Sequence, residues 1–379
     1  MMIPAENCNK VTQQTDKYAT ERVVVMTHLS KILEETLKLC NVKQGDKVLL
    51  ASPYVHDEKH VEAWAIALAN LEADFLRVTL PPMTKNGKLT DPYSPYIIAA
   101  MEKASMLLQI HGPFAPGHLS KNLTPTLGLY NENTVRILHS GLKWLDVTIR
   151  DPEVNLRRLF PSSQTIQRTR RGAEIFHGAE TIRITSRTGT DLTLDKSGRK
   201  GSCQFGIADQ PSRYDNYGVC ATFCAPIEDS ANGTLVLSPG DYILGQGLIV
   251  TEPVRITFGD GYARKIEGGL TARMLERWLA NWRDEQSYGV SHIGWGRIPL
   301  ESAVWTDSNY FTFADAEGYY GMMQIALGSN MFDTPLPNFG LGGKNTAVSH
   351  TDIECLNHDF YLDGEVIVKD GNIVHPECR

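Results

Sequence analysis

The chain has 379 residues, of which 42% are hydrophobic and 21% are charged, and its formal net charge is −7. This balance fits an ordinary globular protein, and the negative charge argues against a nucleic-acid binder, which would present a basic face. No window approaches the roughly 18 consecutive apolar residues of a membrane span. Seven scattered cysteines argue against a disulfide framework. We therefore expect no nucleic-acid or membrane partner, and a reducing, cytoplasmic location.

The first part of the chain predicts an α/β domain. Residues 1–20 are polar and are predicted to form a loose N-terminal arm. Between residues 21 and 160, helical patterns alternate with strand patterns, which predicts a parallel sheet with helices on both faces. The predicted strands are 48–51, 75–80, 106–110 and 144–149. Ser52-Pro53-Tyr54-Val55-His56 follows the first strand in place of a glycine-rich fingerprint, so we expect no Rossmann cofactor site.

The length of the chain favours two domains over one. We predict that the second is a mixed α+β domain over residues 161–379, from the patterns that follow. A polar, arginine-rich stretch at 155–170 marks the change in character. An amphipathic helix is predicted at 271–282. Short strand patterns separated by turn residues are found at 181–186, 191–194, 233–237, 254–258, 360–362 and 366–369.

Two short motifs in this second part carry candidate metal ligands. His350 and Asp352 lie two apart in a predicted strand, so their side chains point to the same face. His292 lies in a crowded, turning Ser-His-Ile-Gly-Trp-Gly run at 291–296. Two imidazoles and one carboxylate suit a mononuclear non-haem Fe(II) centre with open coordination positions. Zinc takes the same ligand types, and a lone His-x-Asp is more often a surface or hydrogen-bonded pair, so the residues indicate a metal without naming it.

One resemblance is to the thermophilic aminopeptidase T family of metallopeptidases. Residues 225–234, which read Ala-Pro-Ile-Glu-Asp-Ser-Ala-Asn-Gly-Thr, are similar to a run in that family, and residues 252–258 and 324–328 also match it. Those peptidases build a two-metal site from glutamates, histidines and a His-x-Asp. Here Ala221 and Gln324 stand where glutamate and histidine ligands would lie. The resemblance therefore implies the scaffold rather than a two-zinc clamp.

A better match is the 2,5-dihydroxypyridine 5,6-dioxygenase family, which shares that scaffold but uses a single Fe(II). Its Ser-His-Ile-Gly-Trp-Gly motif is reproduced at 291–296. Its Gly-Gly-Lys ahead of a His-x-Asp-Ile is reproduced at 342–344 and 350–353. The resemblance implies that His292, His350 and Asp352 are the iron ligands, and that the enzyme uses dioxygen to cleave a hydroxylated aromatic or N-heteroaromatic ring.

The departures from this second family give three candidate catalytic positions. Asn216 follows Arg213-Tyr214-Asp215 where the family has a histidine, Glu317 lies near a family arginine, and Tyr130 falls near a family histidine proposed to help catalysis. Such changes remove a proton acceptor and reverse a charge, so the substrate is expected to differ. Three alternatives remain open: an aminopeptidase or hydrolase, a different non-haem iron oxidation on another bidentate substrate, and a non-catalytic relative that binds a small metabolite. We also expect a homo-oligomer.

Overall fold

The computed structural model describes residues 28–53, 58–81, 84–85, 88–89, 93–110, 132–149, 151–305, 313–331, 336–347 and 349–379. Within these residues the chain forms a five-stranded parallel sheet, antiparallel sheets of seven and eight strands, and a two-stranded ribbon. A parallel sheet with helices followed by antiparallel sheets confirms the broad fold class predicted above. Every helix in the described ranges is too short or too polar to span a bilayer.

The elements follow one another along the chain without long gaps in the described ranges. The helices are α1 (28–39), α2 (Glu58–Asn70), α3 (Pro95–Met101), α4 (Glu132–His139), α5 (Pro152–Arg158), α6 (Ser163–Gly178), α7 (Leu270–Asn281) and α8 (Phe313–Gly318). The strands are β1 (Lys47–Pro53), β2 (Asp74–Leu80), β3 (Thr84–Lys85), β4 (Lys88–Leu89), β5 (Met106–Ile110), β6 (Lys143–Val147), β7 (Thr181–Ser186), β8 (Asp191–Asp195), β9 (Ser202–Gln204), β10 (Tyr214–Asn216), β11 (Ala221–Cys224), β12 (Asn232–Leu237), β13 (Tyr242–Ile243), β14 (Leu248–Ile249), β15 (Val254–Gly259), β16 (Tyr262–Gly268), β17 (Val290–Gly296), β18 (Met323–Gly328), β19 (His350–Cys355), β20 (His358–Leu362), β21 (Glu365–Lys369) and β22 (Asn372–Ile373).

The parallel sheet has the strand order β10-β6-β5-β1-β2. All five residues of β5 and of β6 are buried, as expected for inner strands of a sheet with both faces covered. Leu29, Leu33 and Leu37 recur at helical spacing on α1 and are buried in the same core. The strands predicted at 48–51, 75–80, 106–110 and 144–149 are confirmed, with bounds that differ by a few residues.

The edge strand β10 comes from far along the chain. Tyr214 pairs with Trp144, so a segment beyond residue 200 completes a sheet whose other strands all precede residue 150. The strand is anchored by Asp215, which accepts hydrogen bonds from Arg213 and from the backbone N–H groups of Phe205 and Gly206. Burial raises the pKa of Asp215 to about 6, although Arg213 opposes that shift. The sequence pattern gave no sign of this strand, because three residues are too few to show a period.

The polar stretch at 155–170 is helical, in α5 and in the first half of α6. Ser162 caps α6 by accepting a hydrogen bond from the backbone N–H of Thr165 at 3.1 Å. Ile166, Gly172 and Phe176 are buried on one side of this helix, while Arg170 and Arg171 are exposed. The stretch is polar because one helix face is exposed to solvent, and most of it is helical rather than a loop between domains.

The two antiparallel sheets pack against each other over a second core. The eight-stranded sheet has the order β16-β15-β12-β8-β7-β20-β21-β22, and the seven-stranded sheet has the order β14-β13-β19-β18-β17-β11-β9. Trp295 stacks on Phe176 of α6 with ring centroids 4.8 Å apart, and it meets Phe360 of β20 at 5.1 Å. Ala221 and Phe223 of β11 belong instead to the core of the parallel sheet. The seven-stranded sheet therefore lies between the two cores.

Candidate metal centre

The three predicted ligands come together on neighbouring strands of the seven-stranded sheet. His292 lies on β17, and His350 and Asp352 lie on β19, with β18 between them. One donor atom from each lies within 4.8 Å of the others. The residues are buried, with exposed fractions of 7%, 3% and 0%. Among the described residues this is the one group of three or more His, Cys, Asp or Glu side chains that converges in this way.

The distances between the donor atoms fit a metal ion. Asp352 Oδ1 lies 2.9 Å from His350 Nε2 and 3.5 Å from His292 Nε2. Two ligands at about 2.1 Å from one ion, separated by roughly 90–110°, lie about 3.0–3.4 Å apart. The two imidazole rings are nearly parallel, with centroids 5.2 Å apart and an interplanar angle of 19°. The donor set therefore suits a single ion held from one side.

The far side of the His350 ring is held by the backbone. Its Nδ1 lies 3.0 Å from the carbonyl oxygen of Ser329. A carbonyl can only accept, so we assign the ring proton to Nδ1, which leaves the Nε2 lone pair free to bind a metal ion. Ser291 Oγ donates to the same carbonyl at 2.6 Å, one residue before His292. A single carbonyl oxygen thus connects the strands that carry the two histidines.

The carbonyl of Ser329 is positioned by a further polar cluster around Glu228. This carboxylate accepts hydrogen bonds from Asn330 at 3.1 Å and from the backbone N–H of Lys344 at 2.7 Å, and it pairs with Arg199 at 2.6 Å. Burial would raise the pKa of Glu228, but these partners outweigh it and the net shift is downward. The glutamate of the 225–234 motif therefore fixes the segments that flank the strands carrying the candidate ligands.

The strand register places the remaining side chains of this face. Gln324 of β18 lies opposite Gly294, and Ala221 of β11 lies opposite Gly296. These alternate positions share the face of His292, which Phe223 also touches at a centroid distance of 5.7 Å. Ala221 and Gln324 therefore lie on the same face as the triad. They offer a methyl group and an amide at the positions where the peptidases have metal ligands.

Glu354 is a residue of this face that the sequence interpretation missed. It is 0% exposed and accepts a hydrogen bond from Gln324 Nε2 at 3.0 Å. It continues the alternation of His350 and Asp352 along β19, so the same two-residue period that indicated those ligands could have indicated it. It is not part of the converging donor group. The face therefore carries a second buried carboxylate beside the three ligands.

The candidate catalytic residue Asn216 lies at the end of β10, away from these strands in the chain. Its side chain donates to the hydroxyl of Tyr214 at 3.1 Å. Ring contacts then lead from Tyr214 to Phe339, from Phe339 to Phe223, and from Phe223 to His292. The described contacts therefore connect Asn216 to the triad through three aromatic rings, and its catalytic role stays a prediction.

The catalytic roles of the two other candidates, Glu317 and Tyr130, also stay predictions. Glu317 is buried on the short helix α8, and Tyr130 lies outside the described residues. Tyr217 is a core residue, fully buried against Trp64 with its hydroxyl donated to the carbonyl of Leu156. His60 accepts a hydrogen bond from the indole N–H of Trp64 at 3.1 Å.

Known proteins of similar sequence and structure agree on one family. The family model for 2,5-dihydroxypyridine 5,6-dioxygenase matches residues 28–375. The 2,5-dihydroxypyridine 5,6-dioxygenase of Pseudomonas putida is 28% identical over 354 residues, which are 92% of this chain and 97% of that protein. The structure of the dioxygenase from Pseudomonas putida KT2440 matches with a TM-score of 0.77, covering 93% of this chain and 99% of its own. Wild-type AmpT from Thermus thermophilus matches with a TM-score of 0.64 at 17% identity, covering 92% and 99% of the two chains, which shows a shared fold.

Proposed function

The chain belongs to the 2,5-dihydroxypyridine 5,6-dioxygenase family, and on this premise we propose that it cleaves a hydroxylated aromatic or N-heteroaromatic ring with dioxygen, using one Fe(II). His292, His350 and Asp352 would hold the ion. Family membership makes the protein an enzyme of the dioxygenase class. The observation that carries the assignment of the metal is the convergence of two imidazoles and one carboxylate in a buried face.

Bound Fe(II) would supply the redox chemistry through which dioxygen reacts with an aromatic ring. The chain's own residues provide the setting for that chemistry. Three protein ligands on one sheet face would leave coordination positions of the ion for a substrate with adjacent donor atoms. Ser329 holds His350 in one tautomer, and burial of the ligands keeps bulk water away from them.

Glu354 is proposed to orient the substrate. A carboxylate two residues along β19 from Asp352 can accept a hydrogen bond from a hydroxyl or ring N–H group of a bound molecule, and a charge-assisted bond of this kind is stronger than a neutral one. Gln324 holds the carboxylate in place from the neighbouring strand. Asn216, Glu317 and Tyr130 are proposed as further catalytic positions, at which this chain differs from the family pattern. These differences favour a substrate related to, but distinct from, 2,5-dihydroxypyridine.

The wider organisation is also part of the proposal. We infer an N-terminal arm at 1–20, an α/β domain at 21–160 and a metal-binding domain at 161–379, with the edge strand β10 crossing that division. We also propose a cytoplasmic location, on the basis of the scattered cysteines, and self-association. Size-exclusion chromatography with light scattering measures the number of chains per particle directly.

The experiment starts with protein purified without oxygen, whose iron and zinc contents per chain are measured. Oxygen consumption is then recorded with hydroxypyridines, catechols and hydroquinones, beside hydrolysis of aminoacyl substrates. One iron per chain and oxygen uptake with a ring substrate are the expected results. Two zinc ions per chain with amide hydrolysis would establish the peptidase alternative instead, which would need carboxylate or imidazole ligands at positions now occupied by Ala221 and Gln324.

A further inference from the structure

A buried arginine lies just past the end of β17. Arg297 follows Gly296, and its backbone N–H donates to the carbonyl of Cys220. The residue is 3% exposed, so it is nearly enclosed. Its guanidinium carbon lies 5.8 Å from the centroid of the Tyr320 ring. Arg297 is five positions after His292, which corresponds to about 16 Å of extended chain.

Arg297 lacks a counter-charge among the described residues. Its Nε atom is buried without a hydrogen-bond partner, and no described carboxylate forms an ion pair with it. The groups that influence it electrostatically are Tyr320, Cys220, Cys378 and a second arginine, Arg168. Burial lowers the pKa of Arg297, and the like charge of Arg168 acts in the same direction.

Arg168 belongs to α6, which covers the face of the seven-stranded sheet that carries Trp295. It is partly buried, and within the described ranges it also has no ion pair. Arg168 therefore acts electrostatically on Arg297 from the helix that covers the side of the sheet opposite to the triad. A buried guanidinium stays protonated at any working pH, so a charge without a partner weakens the fold unless something neutralises it.

We propose that Arg297 and Arg168 form a binding site for a small oxyanion, a carboxylate or a phosphate, separate from the metal centre. The planar fork of a guanidinium matches two oxygens of such a group, and the second arginine adds charge at the rim. The Tyr320 ring forms one wall. The site does not depend on the proposed iron chemistry.

The test is isothermal titration calorimetry of the full chain with inorganic phosphate and, separately, with maleate. We expect one saturable site per chain for at least one of these anions. Arg297→Gln should weaken binding tenfold or more, because it removes a charge-assisted, two-point contact. Arg168→Gln should weaken it less. Binding of phosphate alone indicates a phosphorylated ligand, and binding of maleate alone indicates a carboxylate ligand.

Two controls keep the result specific. Arg277→Gln removes an exposed arginine of α7 and should leave the binding unchanged. His350→Ala, which removes a proposed metal ligand, should also leave it unchanged if the anion binds away from the metal. The proposal is overturned if the wild-type chain binds neither anion at 10 mM, or if a folded Arg297→Gln variant binds as tightly as the wild type. Should Arg297→Gln fail to fold, unchanged binding by Arg168→Gln overturns it.

Discussion

The two faces of the seven-stranded sheet differ in polarity, although they are built from alternate residues of the same strands. One face is apolar and packs into the core between the antiparallel sheets, with Ile293, Trp295, Ile325 and Ile353. The other face carries His292, Gln324, His350, Asp352 and Glu354. Polar side chains that must be held in one geometry are thus attached to backbone fixed by packing behind them. The comparison teaches that packing of the apolar face fixes the positions of the polar side chains on the other face.

Removing a ligand should have the largest effect on function and a small effect on folding. His350→Ala is expected to abolish stoichiometric metal binding and to reduce ring cleavage at least 100-fold, since two remaining donors hold an ion poorly. Metal content by mass spectrometry and oxygen uptake measure the two effects. His177→Ala, at an exposed position, is the matched control. Full iron content in the His350 variant would contradict the ligand assignment.

Shortening a side chain on the apolar face should have a large effect on stability. Trp295 is 1% exposed and is stacked on Phe176. Trp295→Ala is expected to lower the free energy of unfolding by about 3–5 kcal/mol, as a large core cavity does. Denaturant melts monitored by circular dichroism give the value, and Trp295→Phe should recover part of it. An unchanged midpoint for the alanine variant would show that this face is not what stabilises the sheet.

A smaller change is expected at Glu354, where the interaction proposed is with the substrate rather than with the metal. Glu354→Gln keeps an acceptor for Gln324 but loses the negative charge. We expect KM for a hydroxylated ring substrate to rise roughly tenfold, with kcat within about threefold and iron content unchanged. The exposed Glu276→Gln is the control. Lost iron, or a fall in kcat alone, would assign this residue a different role.

A further effect concerns the pH dependence of stability at the edge of the sheet. Asp241 is 1% exposed and accepts hydrogen bonds from the backbone N–H groups of Ser238 and Leu356, which directly follows β19. Burial raises its pKa to about 7 against the effect of those two bonds. Because the folded state favours the protonated acid, its contribution to stability is present at low pH and is lost as the pH rises from about 4 to 7.

Asp241→Asn should therefore flatten the fall in unfolding free energy across that window, by at most about 1.4 kcal/mol per pH unit. Denaturant midpoints at pH 4, 5, 6, 7 and 8 measure the slope. The control is Asp260→Asn, whose side chain is 86% exposed. Parallel slopes for wild type and Asp241→Asn would show that this carboxyl does not titrate in the window.

Sequence predicted those parts of the molecule in which a period repeats. The buried runs of β1 and β5 and the helical spacing on α1 were visible because several residues repeat each pattern. The ligands His350 and Asp352 were visible for the same reason, through the two-residue period of one strand. That both meet His292 across β18 came from the family resemblance, since register between distant strands leaves no local mark.

What sequence missed depends on contacts between distant segments. The role of Glu228 depends on Asn330 and Lys344, about a hundred residues away, and nothing in the local motif indicates those partners. Arginine is usually a surface residue, so nothing in the local sequence around Arg297 indicates that it is buried. Its burial, with Tyr320 beside it, is visible only in the structure. Glu354 was predictable in principle, because it extends the alternation by one step.

The late arrival of β10 has a consequence for how the chain folds. Until the segment around Tyr214 has been synthesised, β6 ends the parallel sheet with a row of unpaired backbone groups. A truncated chain ending near residue 160 would keep that open edge permanently and would be prone to aggregate through it. The two halves should therefore fold as one cooperative unit, with slow closure of a long-range pairing as a late step.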